Sequence, residues 1–310
     1  MKLAHLSDLH ICMKNKPKNL SRTRRLIEYA LNQDVDHFVI TGDLTNNAEA
    51  KDFIALRKLF EEFDLLDAGK LTLVIGNHDI YGGVYLAEEI LTFPARCEKT
   101  DFYQKVREFK NYFLEVFENS FTPVPGNIFP FAKLIDNVVL IGPNSITPYS
   151  LLKNPAASKG KIGKEQQKQL IKILSQPAYQ NKIKIILVHH HFNKKSQGAF
   201  EKHLTFLHSI ERYAGKLRKK KRLMNLFDRF NINLILHGHL HESTEYIRKG
   251  LRFMNAGGAI DKNKPGKLKI NLITISPDWI KTEIRTIPEK IKFVPQPVPE
   301  EEFVLAEQPF

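Results

Sequence analysis

The sequence predicts an α/β protein in which two β-sheets pack against each other with helices on the outside. Short apolar runs alternate with helix-like patterns over the first quarter of the chain, in the order strand, helix, strand, helix, strand. Four more strand-like runs follow one another towards the C-terminus. The first pattern is typical of a largely parallel, buried sheet, and the second is typical of antiparallel β-structure.

The opening strands are predicted from apolar runs that end in polar residues or glycine. The three strands and the two helices between them are predicted at 3–6, 20–31, 37–41, about 48–63 and 71–75. The first helix begins near Ser21. Its apolar face consists of Leu26, Ile27, Ala30 and Leu31, because residues three or four apart share a face of a helix.

The segment at about 81–125 interrupts the alternation and is predicted as a helical insertion. Its apolar residues recur at steps of three and four and form one stripe: Phe102, Val106, Phe109, Phe113 and Val116. Such a stripe is more often part of the core than of a ligand site, although a lid over the strand ends is an open alternative.

The rest of the chain continues with strands and amphipathic helices. Strands are predicted at 138–141, 183–188 and 234–236, and helices at 164–174 and around 223–230. The last four strands, at 244–247, 251–254, 269–275 and 280–287, are predicted as a β-meander. From residue 288 the chain is rich in proline and glutamate, which predicts an extended or disordered tail. We therefore predict one domain at 1–287 and a tail at 288–310.

Composition indicates a soluble protein with an anionic partner. The formal net charge of the 310 residues is +13, which favours phosphate-containing ligands or acidic surfaces. Two cysteines, Cys12 and Cys97, exclude a disulfide scaffold at this length and favour a reducing compartment. No apolar run approaches the roughly 18 residues of a membrane-spanning helix. We expect a cytoplasmic protein, with peripheral contact to an anionic membrane as an open alternative.

Five short polar clusters each follow a predicted strand. They are Asp8-Leu9-His10, Gly42-Asp43, Gly76-Asn77-His78-Asp79, His189-His190-His191 and Gly238-His239-Leu240-His241. Open α/β sheets bind ligands outside the carboxyl ends of their strands. Each cluster alone has an ordinary reading, as a turn or as a buried structural histidine. Together they place many donors at one edge of the sheets.

The donor types in these clusters suit metal ions. Carboxylate and amide oxygens with imidazole nitrogens, and no thiolate, favour Mn, Fe, Zn or Co. Two neighbouring cations need a shared ligand, and the carboxylate of Asp43 is the natural candidate. Glycines 42, 76 and 238 allow sharp backbone turns beside the ions.

In this order and at strand ends, the clusters resemble the signature of the calcineurin-like metallophosphoesterase superfamily. The resemblance extends over about 3–257 and is greatest to class III cyclic-nucleotide phosphodiesterases and glycerophosphodiesterases. It implies a four-layer α-β-β-α sandwich, with two mixed sheets flanked by helices. It also implies that the domain at 1–287 is a binuclear metal-dependent phosphohydrolase with two divalent ions, manganese being favoured. A water with a pKa lowered by the cations would supply hydroxide that attacks phosphorus.

The resemblance also implies a role for each clustered residue. One metal would be held by Asp8, His10, Asp43 and His241. The other would be held by Asp43, Asn77, His189 and His239. His78 would face the substrate phosphate as a catalytic residue, and Asp79 would orient it by accepting a hydrogen bond. Asn77, His78 and His190 are the candidates for contact with the phosphate.

The fourth cluster departs from the pattern of its relatives. They have proline soon after the histidines, whereas Phe192 and Asn193 follow here. We favour His189 as the metal ligand because it is the first residue past the predicted strand, and His190 stays open as the alternative.

The substrate is less well indicated than the reaction. A phosphodiesterase acting on cyclic nucleotides or glycerophosphodiesters is the first hypothesis. A lipid-linked pyrophosphatase of the UDP-2,3-diacylglucosamine type is the alternative, which the stripe at 102–116 and the basic run at 216–222 would suit. Further lysines lie at 194, 195, 262, 264, 267 and 269, and Tyr81, Tyr85, Phe93 and Phe192 could line a pocket. A DNA nuclease is less favoured, as is a scaffold without metals.

Overall fold

Two mixed β-sheets, one of five strands and one of six, form the centre of the described part of the chain. The computed structural model describes residues 1–84, 87–192, 217–241, 243–256 and 266–289. The predicted tail lies almost entirely outside these residues, so its conformation stays a prediction. No helix among the described residues combines the length and hydropathy needed to cross a membrane.

The first sheet contains the N-terminal half of the predicted β/α alternation. Its strands are β1 (Lys2–Leu6), β2 (His37–Thr41), β3 (Leu71–Val74), β10 (Lys267–Ile275) and β11 (Ile280–Pro288). They are ordered β11-β10-β1-β2-β3, with β1, β2 and β3 parallel and the β10–β11 hairpin antiparallel at the other edge. Parallel β1, β2 and β3 therefore end at the same edge.

The second sheet holds the later clusters. Its strands are β4 (Phe131–Ile135), β5 (Val138–Gly142), β6 (Ile183–Val188), β7 (Leu234–His237), β8 (Ser243–Arg248) and β9 (Leu251–Ala256). The order is β4-β5-β6-β7-β9-β8. Strands β5, β6, β7 and β9 are parallel, and β4 and β8 are antiparallel at the two edges.

Helices cover the outer faces of both sheets. The helices are α1 (Lys18–Leu31), α2 (Ala50–Glu62), α3 (His78–Tyr81), α4 (Ala87–Lys99), α5 (Phe102–Tyr112), α6 (Lys164–Leu174) and α7 (Lys220–Arg229). Of these, α4 and α5 belong to the insertion, and the short α3 follows β3 at the ends of the strands. Strand β6 shows the layering: Ile185 and Leu187 belong to the core between the sheets, whereas Ile186 and Val188 pack with the residues of α6 and α7. Successive strand residues point to opposite faces, so the predicted four-layer α-β-β-α architecture is confirmed.

The insertion at 81–125 is helical, and its apolar stripe is part of the core. Phe109, Phe113 and Val116 are buried, and Phe102 and Val106 pack against the same core. Phe53 of α2 stacks on Tyr112 and meets Phe109 and Phe113 edge-on. The stripe therefore anchors the insertion to α2, and the alternative of a lid or an acyl-chain surface gains no support from it.

Two strand predictions need correction. The four C-terminal strands do not form a single meander, because β8–β9 is a hairpin of the second sheet and β10–β11 a hairpin of the first. Strand β4 was not predicted, since Lys133 stands in the middle of it. Lys133 is nevertheless buried, and its ammonium donates to the carbonyl oxygens of Leu71 and Val116, both at 2.7 Å. These two bonds satisfy two of the ammonium's donors, but burial still lowers the pKa of Lys133 to about 7.

His37 provides a test of the fold that is independent of the clusters. The imidazole is buried between the carbonyl of Gly69 (2.7 Å) and the hydroxyl of Thr72 (2.8 Å). Burial lowers its pKa from 6.5 to about 3. Below pH 6.5 His37 therefore binds a proton in the unfolded chain, whereas in the folded chain it stays neutral down to about pH 3. The free energy of unfolding therefore decreases as the pH is lowered from 6.5 to 3.

Replacing His37 with glutamine is expected to reduce this acid sensitivity. Between pH 7 and pH 5 the wild type should lose about 2 kcal/mol more unfolding free energy than the variant, at about 1.4 kcal/mol per pH unit and titrating group. Urea unfolding in the presence of a chelator measures the difference. Equal losses in both proteins would show that His37 is not buried in its neutral form.

Candidate active site

The five predicted clusters meet at one edge where the two sheets face each other. Loops after β1, β2 and β3 supply the first three clusters, and loops after β6 and β7 supply the other two. The backbones interlock: the Asp8 amide donates to the carbonyl of Gly42, and the His10 amide donates to the carbonyl of Asp43, both at 3.0 Å. The parallel strands thus place distant parts of the sequence side by side.

Five of the seven predicted metal ligands have a left-handed backbone conformation. Their φ angles range from 46° to 72°: Asp8, His10, Asp43, His239 and His241. This conformation is uncommon for residues other than glycine, and such strain concentrates at functional sites. The sequence pattern carried no sign of it, although Asp is among the residue types that tolerate it best.

One group of donors consists of Asp8, His10 and His241. Nε2 of His241 lies 3.4 Å from Oδ1 of Asp8 and 3.2 Å from Nε2 of His10. Asp8 and His10 are buried, whereas the His241 side chain is 35% exposed and forms the rim. The three side chains offer ligand atoms that all lie within 4.8 Å of one another.

A second group consists of Asp43, His189 and His239, with Asn77 beside it. Nε2 of His189 lies 3.3 Å from Oδ2 of Asp43, 3.1 Å from Oδ1 of Asn77 and 3.0 Å from Nδ1 of His239. Nδ1 of His189 faces the carbonyl of Thr41 at 2.9 Å. A proton on Nδ1 donates to that carbonyl and leaves the Nε2 lone pair directed at the other donors.

Asp43 joins the two groups. Besides its place beside His189 and His239, it forms a third group with His10 and His78. Burial alone would raise the pKa of Asp43, but the positive charges that His189 and His78 carry when they are protonated outweigh it and lower the pKa to about 2. Asp43 is therefore an anion at neutral pH, buried between two sets of ligand atoms.

These residues fit metal ions by their chemistry. Nε2 of His189 faces the oxygens of Asp43 and Asn77, and the buried Nε2 atom of His239 has no hydrogen-bond partner among the described residues. Lone pairs that converge in this way are stabilised by a cation placed among them. The clusters could thus hold metal ions, as the sequence predicted.

Two glycines allow the clusters to approach closely. A Cβ atom at Gly76 would overlap the carboxylate and backbone amide of Asp43, and one at Gly238 would overlap the side chains of Ser7 and Asp8. Any other residue at either position would push a carboxylate away from the site. The sequence predicted both glycines as turn residues. In the structure they also let their backbones lie close to Asp43 and Asp8.

His78 lies beside Asp43 and is oriented by a backbone carbonyl. Its amide donates to Oδ1 of Asp43 at 2.9 Å, and its Nε2 lies 4.0 Å from Oδ2 of Asp43. Its Nδ1 faces the carbonyl oxygen of Asn46 at 3.1 Å. Sequence reasoning missed Asn46, because a backbone carbonyl carries no residue-type signal.

The expected hydrogen bond from His78 to Asp79 is wrong. Oδ1 of Asp79 accepts from the amide and hydroxyl of Thr45, at 2.8 and 3.2 Å, and Oδ2 accepts from the amide of Gly76 at 2.9 Å. Asp79 thus joins the loop after β2 to the loop after β3. Asp79 therefore acts on the site indirectly, by fixing the backbone segments that carry Asp43 and Asn77.

His190 is a structural histidine, so its prediction as a phosphate contact is also corrected. It is buried, with Nδ1 2.7 Å from the hydroxyl of Ser145 and Nε2 2.9 Å from the carbonyl of Ser158. Nε2 therefore carries the proton and Nδ1 accepts one, and both nitrogens are used. Burial lowers the pKa of His190 to about 3. This favours His189 over His190 as the ligand.

The two histidines are expected to respond differently to mutation. His189→Ala should lose bound metal with the fold kept. His190→Ala should keep metal but lose about 1–3 kcal/mol of stability, because the buried Ser145 hydroxyl and Ser158 carbonyl each lose the hydrogen bond that the imidazole makes with them. Metal content and urea unfolding of both variants decide the matter. Metal loss in His190→Ala at unchanged stability would reverse the assignment.

Three of the four predicted pocket aromatics lie in the described part of the chain, and all three are buried side chains. Phe192 is fully buried against Phe227 and Phe253. Tyr81 is buried and donates to the carbonyl of Thr147 at 3.0 Å. Phe93 is also buried, with the guanidinium of Arg96 over its ring. Residues 85, 194, 195, 216, 262 and 264 lie outside the described parts of the chain.

Comparisons of the whole chain agree with this site. A family model described as calcineurin-like phosphoesterase matches residues 1–243. No curated protein matches the sequence. The match covers all five clusters, so the chain retains the polar residues that a scaffold without metals would be expected to lose.

Solved structures share the fold at low sequence identity. A dimetal phosphatase from Danio rerio superposes with a TM-score of 0.57 and 12% identity, over 93% of this chain and 98% of that one. A purple acid phosphatase from yellow lupin (Lupinus luteus) seeds gives a TM-score of 0.55 and 15% identity, over 92% of this chain and 51% of that one. At these identities the likeness shows the architecture.

Proposed function

The chain belongs to the calcineurin-like phosphoesterase family and is a metal-dependent phosphoric ester hydrolase, and on this premise we propose that it is a phosphodiesterase with two divalent cations. The proposed substrates are small phosphodiesters such as cyclic nucleotides or glycerophosphodiesters, and manganese is the favoured metal. The similarity of the five clusters to those of class III phosphodiesterases supports this choice. Both described cysteines are free, which supports action in a reducing, cytoplasmic compartment.

The place of Asp43 in two groups of ligand atoms carries the proposal. A carboxylate that lies between two sets of donors can be shared by two cations. One cation would be held by Asp8, His10, Asp43 and His241. The other would be held by Asp43, Asn77, His189 and His239. When bound, the cations would lower the pKa of a water molecule and neutralise charge on the phosphate oxygens.

His78 would act on the leaving group. A protonated His78 donates from Nδ1 to the carbonyl of Asn46, which fixes the ring. Its Nε2 then lies on the side of Asp43, 4.0 Å from Oδ2, where the phosphate would lie. There it can stabilise charge on a phosphate oxygen and pass a proton to the departing alkoxide. The amide of Asn77 beside His189 is a second candidate contact for the phosphate.

Hydrolysis of bis(p-nitrophenyl) phosphate tests the proposal directly. The chain is stripped with a chelator, reloaded separately with manganese, iron, zinc or cobalt, and assayed against this diester and against p-nitrophenyl phosphate. We expect turnover only after reloading, with the diester preferred. Absence of diester turnover with every metal would contradict the proposal, and preference for the monoester would make the protein a phosphatase.

A further inference from the structure

A basic loop follows the first metal cluster and lies against the second. It carries Lys14 and Lys16 between Ile11 and α1, and Lys18 is the first residue of α1. The loop is folded tightly, because the amide of Lys16 donates to the carbonyl of Cys12 at 2.8 Å. Its base is tied to the loop after β2, since the amide of Asn46 donates to the carbonyl of Ile11 at 2.9 Å.

Lys16 is the lysine of this loop that contacts Asn46, the residue whose backbone carbonyl faces His78. Its ammonium donates to Oδ1 of Asn46 at 3.2 Å. The carbonyl of the same Asn46 accepts from Nδ1 of His78 at 3.1 Å. One residue therefore separates the charge of Lys16 from the imidazole of His78. Lys16 is half-buried, whereas Lys14 and Lys18 are exposed.

The segment around Asn46 brings a further element to the same place. The amide of Gly83, at the start of the helical insertion, donates to the Asn46 carbonyl at 2.8 Å. Arg96 of α4 donates to the carbonyl of Gly83 at 2.7 Å. The carbonyl groups of Asn46 and Gly83 are thus fixed, and the backbone beside His78 is held from both sides. A lysine seated on Asn46 is placed reproducibly relative to His78.

We propose that Lys16 is a specificity-determining residue that binds a second ionised group of the substrate, next to the scissile phosphate. The inference rests on the proposed function and narrows its substrate class to phosphate esters with a further phosphate or carboxylate on the leaving side. An ammonium makes charge-assisted hydrogen bonds to such oxygens, and these are stronger than neutral ones. The metal ligands would not contact this group, so its recognition falls to the loop.

Three variants and three substrates separate this role from a general one. Lys16→Ala removes the charge, Lys16→Arg retains it, and Lys14→Ala removes an equal charge from the exposed tip of the same loop. The substrates are bis(p-nitrophenyl) phosphate with one negative charge, UDP-glucose with a second phosphate, and p-nitrophenylphosphorylcholine with a positive group. KM and kcat are measured with manganese, and thermal unfolding confirms that each variant is folded.

The expected result is selective. Lys16→Ala should raise KM for UDP-glucose about tenfold and change KM for bis(p-nitrophenyl) phosphate by no more than about twofold. It should lower KM for the choline ester, because a positive charge near the positive group of that substrate is removed. Lys16→Arg and Lys14→Ala should resemble the wild type. Equal effects of Lys16→Ala on all three substrates, or none, would overturn the inference while diester hydrolysis still stands. A wild type that turns over no phosphate ester would instead overturn the proposed function itself.

Discussion

Replacing Asp43 with asparagine is expected to lower kcat about a thousandfold or more, since a shared charge contributes several kcal/mol and each 1.4 kcal/mol is a factor of ten. The variant should also retain at most one metal ion where the wild type retains two. Asparagine offers a neutral oxygen in place of a carboxylate that two cations can share. Metal content after dialysis and steady-state kinetics on a diester measure both effects.

Asp52→Asn is the matched control for this change. Asp52 is also a fully buried aspartate, but it lies on α2, and its Oδ1 accepts from the amide of Met13 at 2.8 Å. Asparagine keeps that acceptor, so activity and metal content should stay close to those of the wild type. A wild-type metal content and rate in Asp43→Asn would remove the bridging role.

Replacing His78 with alanine is expected to reduce kcat by about 10²–10⁴ while metal content stays unchanged. The backbone amide that donates to Oδ1 of Asp43 remains in the variant, so Asp43, the proposed metal ligand, keeps this hydrogen bond. Only the proton donor near the leaving group is lost.

The leaving group provides the internal control for His78. A p-nitrophenolate departs without a proton, whereas an alkoxide needs one, so the defect should be smaller for bis(p-nitrophenyl) phosphate than for a glycerophosphodiester. Equal defects on both substrates would indicate that His78 acts only through charge. Loss of metal in His78→Ala would instead assign it to the ligand set.

The convergence of the clusters could be predicted from the sequence because it follows from local signals. Apolar runs at β1, β2, β3, β6 and β7 are followed at once by Asp, Asn, His or Gly, and parallel strands bring their carboxyl ends together. The order of these runs fixed which loops meet. Asp43 lies between the two groups as expected, since the loop after β2 is next to those after β1 and β3.

The orientation of side chains within the site could not be predicted in the same way. Asp79 contacts Thr45 and Gly76 instead of His78, and the carbonyl of Asn46 takes its place. His190 follows His189 directly yet bonds to Ser145 and Ser158. These partners depend on left-handed turns and on loops distant in sequence, for which residue type gives no signal.

The sheet assignment of the C-terminal strands required tertiary information too. Strands β8 to β11 look alike in sequence, but β9 pairs with β7 and β10 pairs with β1. Strand β4 was not predicted because it contains Lys133. The ammonium of this buried lysine donates to two carbonyl oxygens from other elements. Pairing partners and buried charges are decided by neighbours far along the chain, so periodicity alone does not reveal them.

Anomalous diffraction from a crystal of the manganese-loaded protein would show whether two cations share Asp43. We expect two manganese peaks on either side of the Asp43 carboxylate. One should also contact Asp8, His10 and His241, and the other should contact Asn77, His189 and His239. A single peak, or peaks that Asp43 does not contact, would contradict this expectation.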